Sequence, residues 1–153
     1  MATRNPTKDT ASTLDLDRQI CHSLYSASNA LVRAYRPLLQ QLDLTYPQYV
    51  VMMSLWQRDK VSNSELARHT RFDAGTLTPM LKRLQDKGLI TSTVAKSDER
   101  RRIVSLTKKG RGLKKTAKTI PEQIACTANM SVKDALELKA LCEALFTRLS
   151  VEQ

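Results

Sequence analysis

Apolar residues recur at steps of three and four through Leu16, Ile20, Leu24, Ala27, Leu31, Tyr35, Leu38 and Leu42. That period marks one face of a helix and predicts a first helix over about 14–42. Thr45 and Gln48 then have the spacing of a capping box, and Pro47 is tolerated in a first turn. The following segment, through Trp56, is apolar on most sides and belongs in a core. Ser62 and Glu65 form a second capping box, flanked by Val61 and Leu66 as a hydrophobic staple. The short helix they open ends near Thr70. A further helix begins between Asp73 and Thr78. Asp73 is a good cap, whereas Pro79 prefers a first turn and favours Thr78, and both starts remain open. Gly88 ends this helix as a left-handed cap. Leu89–Val94 and Arg102–Leu106 are β-prone and enclose a polar tip, Ala95–Arg101. Helix returns from Thr107 to about Ala125, bent at Pro121. A last helix starts at Ser131 and Asp134 and ends near Leu149. Its apolar stripe is Ala135, Leu138, Leu141, Cys142, Leu145 and Leu149.

Helix, turn, helix, strand, tip, strand is the order of a winged helix-turn-helix. The predicted class is mainly α (α+β). A polar tail at 1–12 is expected to be disordered, and 13–153 to form a single domain. Within it a reader at about 45–106 lies between terminal helices at about 14–42 and 107–150. A first helix this long fits a compact monomer poorly. The leftover apolar stripes predict a homodimer sealed by the terminal helices, which suits half-sites of a pseudo-palindrome.

Charge sharpens this reading. Between Lys82 and Lys118 stand thirteen Lys and Arg against three acids, which accounts for the whole formal excess of +10. Such concentration favours double-stranded DNA as partner, although an anionic membrane surface would also attract it. On the recognition segment the candidate DNA contacts are Thr76, Thr78, Lys82 and Arg83. Arginine and lysine suit guanine, and threonine suits the thymine methyl. In the wing they are Asp98, Arg100 and Arg101. No apolar run is long enough for a membrane helix, and the N-terminus lacks a signal-peptide core. A cytoplasmic protein without membrane attachment is expected. Three scattered cysteines and two histidines give neither a disulfide framework nor zinc-ligand spacing, so no metal or cofactor is expected. Gly110 and Gly112 are too isolated for a phosphate loop.

The helix-rich frame around a central winged reader resembles the MarR family of transcriptional regulators, and Asp98-x-Arg100 matches that family's wing motif. Cys21 in CHSLY, Tyr35 in YRPLL, Tyr46 in LTYPQY and the string DAGTLTPMLKRL resemble more narrowly its organic-hydroperoxide-sensing repressors. The resemblance covers residues 14–150. It implies that Cys21 is the peroxide sensor, hydrogen-bonded by Tyr35 and Tyr46 from the other subunit. Some members of the branch carry a second cysteine in the region of Cys126, which makes it the candidate resolving thiol. Fourteen residues of helix separate Cys21 from Tyr35, about 21 Å of rise, so a pairing between them requires two first helices to cross. Tyr25 shares the face of Cys21 and is a candidate for the pocket lining. Arg18, one turn earlier, would stabilise a thiolate. The helix dipole contributes little, because Cys21 lies about two turns inside the predicted helix and the effect fades after the first turn.

The bland reading of a lone cysteine on an apolar helix is a small core residue, and Cys142 is read that way. The expected function is a repressor that releases its operator on oxidation of Cys21 and disulfide formation with Cys126. Two alternatives stand beside it. One is a repressor released by a phenolic or drug-like ligand. The other is a thiol peroxidase, which lacks an acid/base constellation around either cysteine, so no enzyme is expected.

Overall fold

The computed structural model describes residues 14–95 and 98–150. The polar tail at 1–12 and the tip residues Lys96 and Ser97 lie outside them. The chain divides into two units, residues 1–34 and 35–153, with the boundary inside the first helix.

In the first unit, Leu16–Arg18 form a single 3-10 turn, and Gln19 is extended (φ −88°, ψ 113°). Helix α1 begins only at Ile20 and runs Ile20–Gln40. The expected start near Leu14 is therefore too early. Apolar periodicity reports which side of a segment is oily, and says nothing of where its hydrogen-bond ladder begins. Leu16, Ile20, Tyr25 and Leu31 of this unit are exposed in the chain.

The second unit holds the core and the reader. Helix α2 (Tyr46–Gln57) starts at the predicted box. The Gln48 amide donates to Thr45 Oγ1 at 3.4 Å, and the Thr45 amide to Gln48 Oε1 at 3.1 Å. Its apolar surface is buried as expected, with Tyr49, Val51, Met52 and Leu55 among the least exposed residues. Strand β1 (Val61–Ser62) leads into α3 (Asn63–Thr70), and α4 (Ala74–Asp86) follows. Strands β2 (Ile90–Ala95) and β3 (Asp98–Leu106) form the wing. The sheet is antiparallel with order β1-β3-β2, and Val61 and Ser92 both face Val104 across it. Leu66, Leu77, Leu81, Leu84, Leu89 and Val104 close the core over α2. Each such side chain contributes roughly 1.5–3 kcal/mol by leaving water.

Gly88 has φ 67° just beyond α4, the left-handed position its sequence place predicted. Beyond the wing, Thr107 caps α5 (Lys108–Ala117) by accepting from the Gly110 amide at 3.0 Å. The helix expected to continue to Ala125 with a bend instead breaks, and α6 (Ile120–Ala128) starts with Pro121 in its first turn. Pro121 has no N–H to give the carbonyl of Ala117, four residues back. Helix α7 (Val132–Ser150) starts as predicted, with the Asp134 amide donating to Ser131 Oγ at 3.1 Å. It buries no residue within the chain. Leu136, Leu138, Leu141 and Leu149 are exposed, and so is Cys142, which its stripe had placed in a core. An apolar stripe marks the oily side of a helix, and on α7 that side is exposed in the chain.

Candidate nucleic-acid interface and redox-sensing residues

Helix α4 starts at the earlier of the two open positions. Asp73 caps it, accepting from the Thr76 amide at 2.8 Å, so Pro79 sits inside the helix. Leu77, Met80, Leu81 and Leu84 turn inward. That leaves Thr76, Thr78, Lys82 and Arg83 on the exposed side, where the sequence had placed them. The two threonine hydroxyls are already committed. Thr76 Oγ1 donates to Asp73 Oδ2 at 2.6 Å, and Thr78 Oγ1 to the Ala74 carbonyl at 2.8 Å. With their hydroxyl protons held within the helix, both side chains keep their methyl groups for a partner, the half of threonine that suits thymine.

The wing arginines are not equivalent. Asp98 Oδ1 accepts from the Arg100 amide at 2.9 Å, so the motif's aspartate fixes the backbone beneath Arg100. The Arg100 side chain has no hydrogen-bond or ion-pair partner among the described residues. Arg101 instead reaches back to α3, its guanidinium donating to Glu65 Oε2 at 3.2 Å. The Ser62 hydroxyl and amide, with Arg101, hold the Glu65 carboxyl far below its usual range, at about 2. Glu65 thus caps α3 and anchors the wing at once. The sequence pattern shows only the cap, because Arg101 lies 36 residues away. Between the α3 start and the wing lies a groove of about 460 Å³ lined by Ser62, Asn63, Ser64, Asp98 and Arg100–Arg102.

Three tyrosines gather in the second unit. The rings of Tyr35 and Tyr46 have centroids 4.9 Å apart, and those of Tyr35 and Tyr49 5.9 Å. Burial, with the neighbouring Tyr46 and Tyr49, pushes the Tyr35 phenol up to about 12. Burial also raises Tyr46, and burial with Tyr46 raises Tyr49. Phenols held this firmly protonated are hydrogen-bond donors at any physiological pH. Tyr49 escaped the sequence reading, although it stands one helical turn after Tyr46.

In the first unit Cys21 and Tyr25 are exposed on α1. Since α1 begins at Ile20, Cys21 is its second residue, not one two turns inside. The first turn is where the unpaired amides and the macrodipole favour negative charge. Arg18 belongs to the separate 3-10 turn. Cys126 is exposed in the last turn of α6, which closes on left-handed Asn129 (φ 46°). Cys126 is thus a thiol at a helix end, inside a helix that runs on past the expected stop near Ala125.

A polar-faced helix and an arginine-bearing wing, mounted on a helix-turn-helix, define a DNA-binding regulator. Comparison with known proteins agrees. The family model of the transcriptional regulators SarA/Rot matches residues 33–117. An organic hydroperoxide resistance transcriptional regulator of Bacillus subtilis is 39% identical over 136 residues, 89% of this chain and 90% of its own. Reduced AbfR bound to DNA shares 29% identity with a TM-score of 0.71, covering 88% of this chain and 95% of that one. AbfR with its disulfide formed shares 30% with a TM-score of 0.62, over 86% and 92%; AbfR is a Staphylococcus epidermidis protein. The chain belongs to the SarA/Rot-type, MarR-like transcriptional regulators. Among the described residues no helix is long and apolar enough to cross a membrane.

Proposed function

We propose that this regulator is a homodimeric repressor. It binds a pseudo-palindromic operator when reduced and releases it when an organic hydroperoxide oxidises Cys21. The observation that carries the reading is the likeness, over nine-tenths of both chains, to a hydroperoxide-resistance regulator. The placement of Cys21 in the first turn of α1 supports it. The thiolate attacks the peroxide's outer oxygen, the O–O bond breaks, and with one proton the products are a sulfenic acid and an alcohol. The Cys126 thiol of the other subunit then displaces water from the sulfenic acid to form a disulfide. The partner's Tyr35 and the partner's Tyr46 donate hydrogen bonds to the Cys21 sulfur, a role suited to phenols that stay protonated. Tyr25 lines the alkyl pocket, and Arg18 adds positive charge. AbfR, a relative with a disulfide-formed state, lends weight to the second cysteine's part. A disulfide requires the two Cα atoms within about 4.4–6.8 Å, so its formation re-aims two readers that must match one DNA spacing.

Thr76, Thr78, Lys82 and Arg83 read the major groove, and Arg100 enters the flanking minor groove. Asp98 and Arg101 hold the wing. The test is operator affinity of the purified protein, reduced, then with cumene hydroperoxide, then with dithiothreitol added. Loss and recovery of binding support the proposal. Binding unmoved by peroxide refutes it.

A further inference from the structure

Arg71 stands at the corner of the helix-turn-helix, in the left-handed conformation (φ 61°) between α3 and α4. Its guanidinium grips Glu143 on α7 with both branches, Nη2 to Oε2 at 2.6 Å and Nη1 to Oε1 at 3.4 Å. The same guanidinium lies 3.8 Å above the centroid of the Phe146 ring, one turn further along α7. The Arg71 hydrogen bond, and after it the Arg71 charge, hold the Glu143 carboxyl below the usual carboxylate range. Among the described residues, every hydrogen bond and ion pair that α7 makes with another element runs through Arg71. No residue of α7 is fully buried in the chain, and only Glu143 and Leu145 are half-buried. Two residues beyond Arg71 is Asp73, the cap that sets the start of the recognition helix.

We propose that Arg71 is a positioning residue for operator recognition: it transmits the placement of α7 to the recognition helix through Glu143 and Phe146. The inference is independent of the redox reading. It rests on the proposed dimer only in that a second copy holds α7 in place. Operators read as two half-sites demand a fixed spacing of the readers, so a loosened corner costs specific binding and spares nonspecific binding.

Glu143 supplies the decisive test, because two explanations differ in sign. If charge alone matters, Glu143→Gln removes an acid from a DNA-binding protein and tightens its grip on any duplex. If Glu143 positions the reader through Arg71, the same change weakens specific binding. The assay is anisotropy with a duplex selected from a random-sequence pool by the wild-type protein, beside a scrambled duplex. Glu143→Gln is expected to weaken binding to the selected duplex about fivefold, the worth of one partly exposed ion pair with its ring contact. Its affinity for the scrambled duplex stays level or rises. Arg71→Glu alone is expected to lose operator selectivity, and Arg71→Glu with Glu143→Arg to regain most of it at unchanged net charge. Thermal melts confirm that each variant is folded, and light scattering reports the dimer separately, so a monomer would count against the proposed assembly alone. Tighter operator binding by Glu143→Gln, or a charge swap no better than Arg71→Glu, overturns the assignment.

Discussion

Gly110 is the residue whose replacement has the most calculable outcome. A Cβ built on it falls 2.0 Å from the carbonyl oxygen of Leu89, 3.0 Å from that carbonyl's carbon and 3.3 Å from Leu106 Cδ2. The obstacle is backbone, so relief requires α5 and the start of β2 to separate by about 1 Å. The Leu89 oxygen also accepts from the Thr107 amide at 3.0 Å and the Thr107 hydroxyl at 3.1 Å, and Trp56 Nε1 donates to the Gly110 carbonyl at 2.9 Å. Overpacking costs about 1–3 kcal/mol and each strained hydrogen bond about 1 kcal/mol. The better helix propensity of alanine returns at most about 1 kcal/mol. Gly110→Ala should therefore destabilise by about 2–4 kcal/mol, a fall of roughly 5–15 °C in Tm for a chain of this size. Gly112 is the internal control. It lies in the same helix with nothing within 4 Å of its built Cβ, so Gly112→Ala should gain up to about 1 kcal/mol. Both variants are melted by circular dichroism at one fixed protein concentration, since a dimer's Tm depends on it. Equal shifts in the two variants would refute the close-approach argument.

The other expectations concern the reader and the sensor. Arg100→Ala should weaken operator binding by about 1–3 kcal/mol in an anisotropy titration if its side chain enters a narrow minor groove, and unchanged affinity in a folded variant would remove the wing from recognition. Glu65 has a depressed folded pKa, so its stabilising part is fully present above its ordinary value near 4.5 and is lost as pH falls toward about 2. The acid limb of stability should flatten in Glu65→Gln, and an unaltered limb would deny the carboxylate that role. Tyr35→Phe with Tyr46→Phe should slow the reaction of Cys21 with cumene hydroperoxide in stopped flow while leaving operator binding intact; an equal rate would dismiss the phenols. On a non-reducing gel after peroxide, wild type should give a reducible dimer band and both Cys21→Ser and Cys126→Ser none. A band surviving in Cys126→Ser would move the resolving role to Cys142 or to a Cys21–Cys21 bond.

Much of the reader was legible because its signals are local. Ser62 with Glu65, Thr45 with Gln48, and Gly88 each act within a few residues, and the structure realises all three. The start of α4 was ambiguous because Asp73 and Pro79 make opposite local demands. The Asp73 cap prevails, and it is reinforced by two bonds to Thr76 that only the folded geometry reveals. The start of α1 was misread because an apolar stripe runs on through a 3-10 turn and an extended residue. Nothing local foretold the pairs Glu65–Arg101 and Arg71–Glu143, 36 and 72 residues apart. No local pattern marks a constraint at Gly110. Its actual constraint comes from Leu89, whose approach only the fold creates.

The start of α1 at Ile20 changes where the proposed sensor, Cys21, stands. With Cys21 two turns inside a helix, activation would have to come wholly from side chains, and Arg18 and the tyrosines would bear it alone. With Cys21 second in α1, the sulfur of the proposed sensor lies in the helix's first turn within each chain. The proposed sensor then divides into a part set by each chain's own α1 and a part supplied by the proposed dimer. In the proposed dimer the tyrosine cluster, whose Tyr35 phenol is held at about 12, would supply hydrogen-bond donors and no negative charge. There the partner's phenols donate hydrogen bonds to the sulfur at that helix end. A monomer would retain only the first, so the proposed peroxide sensing and the proposed operator binding call for the same assembly.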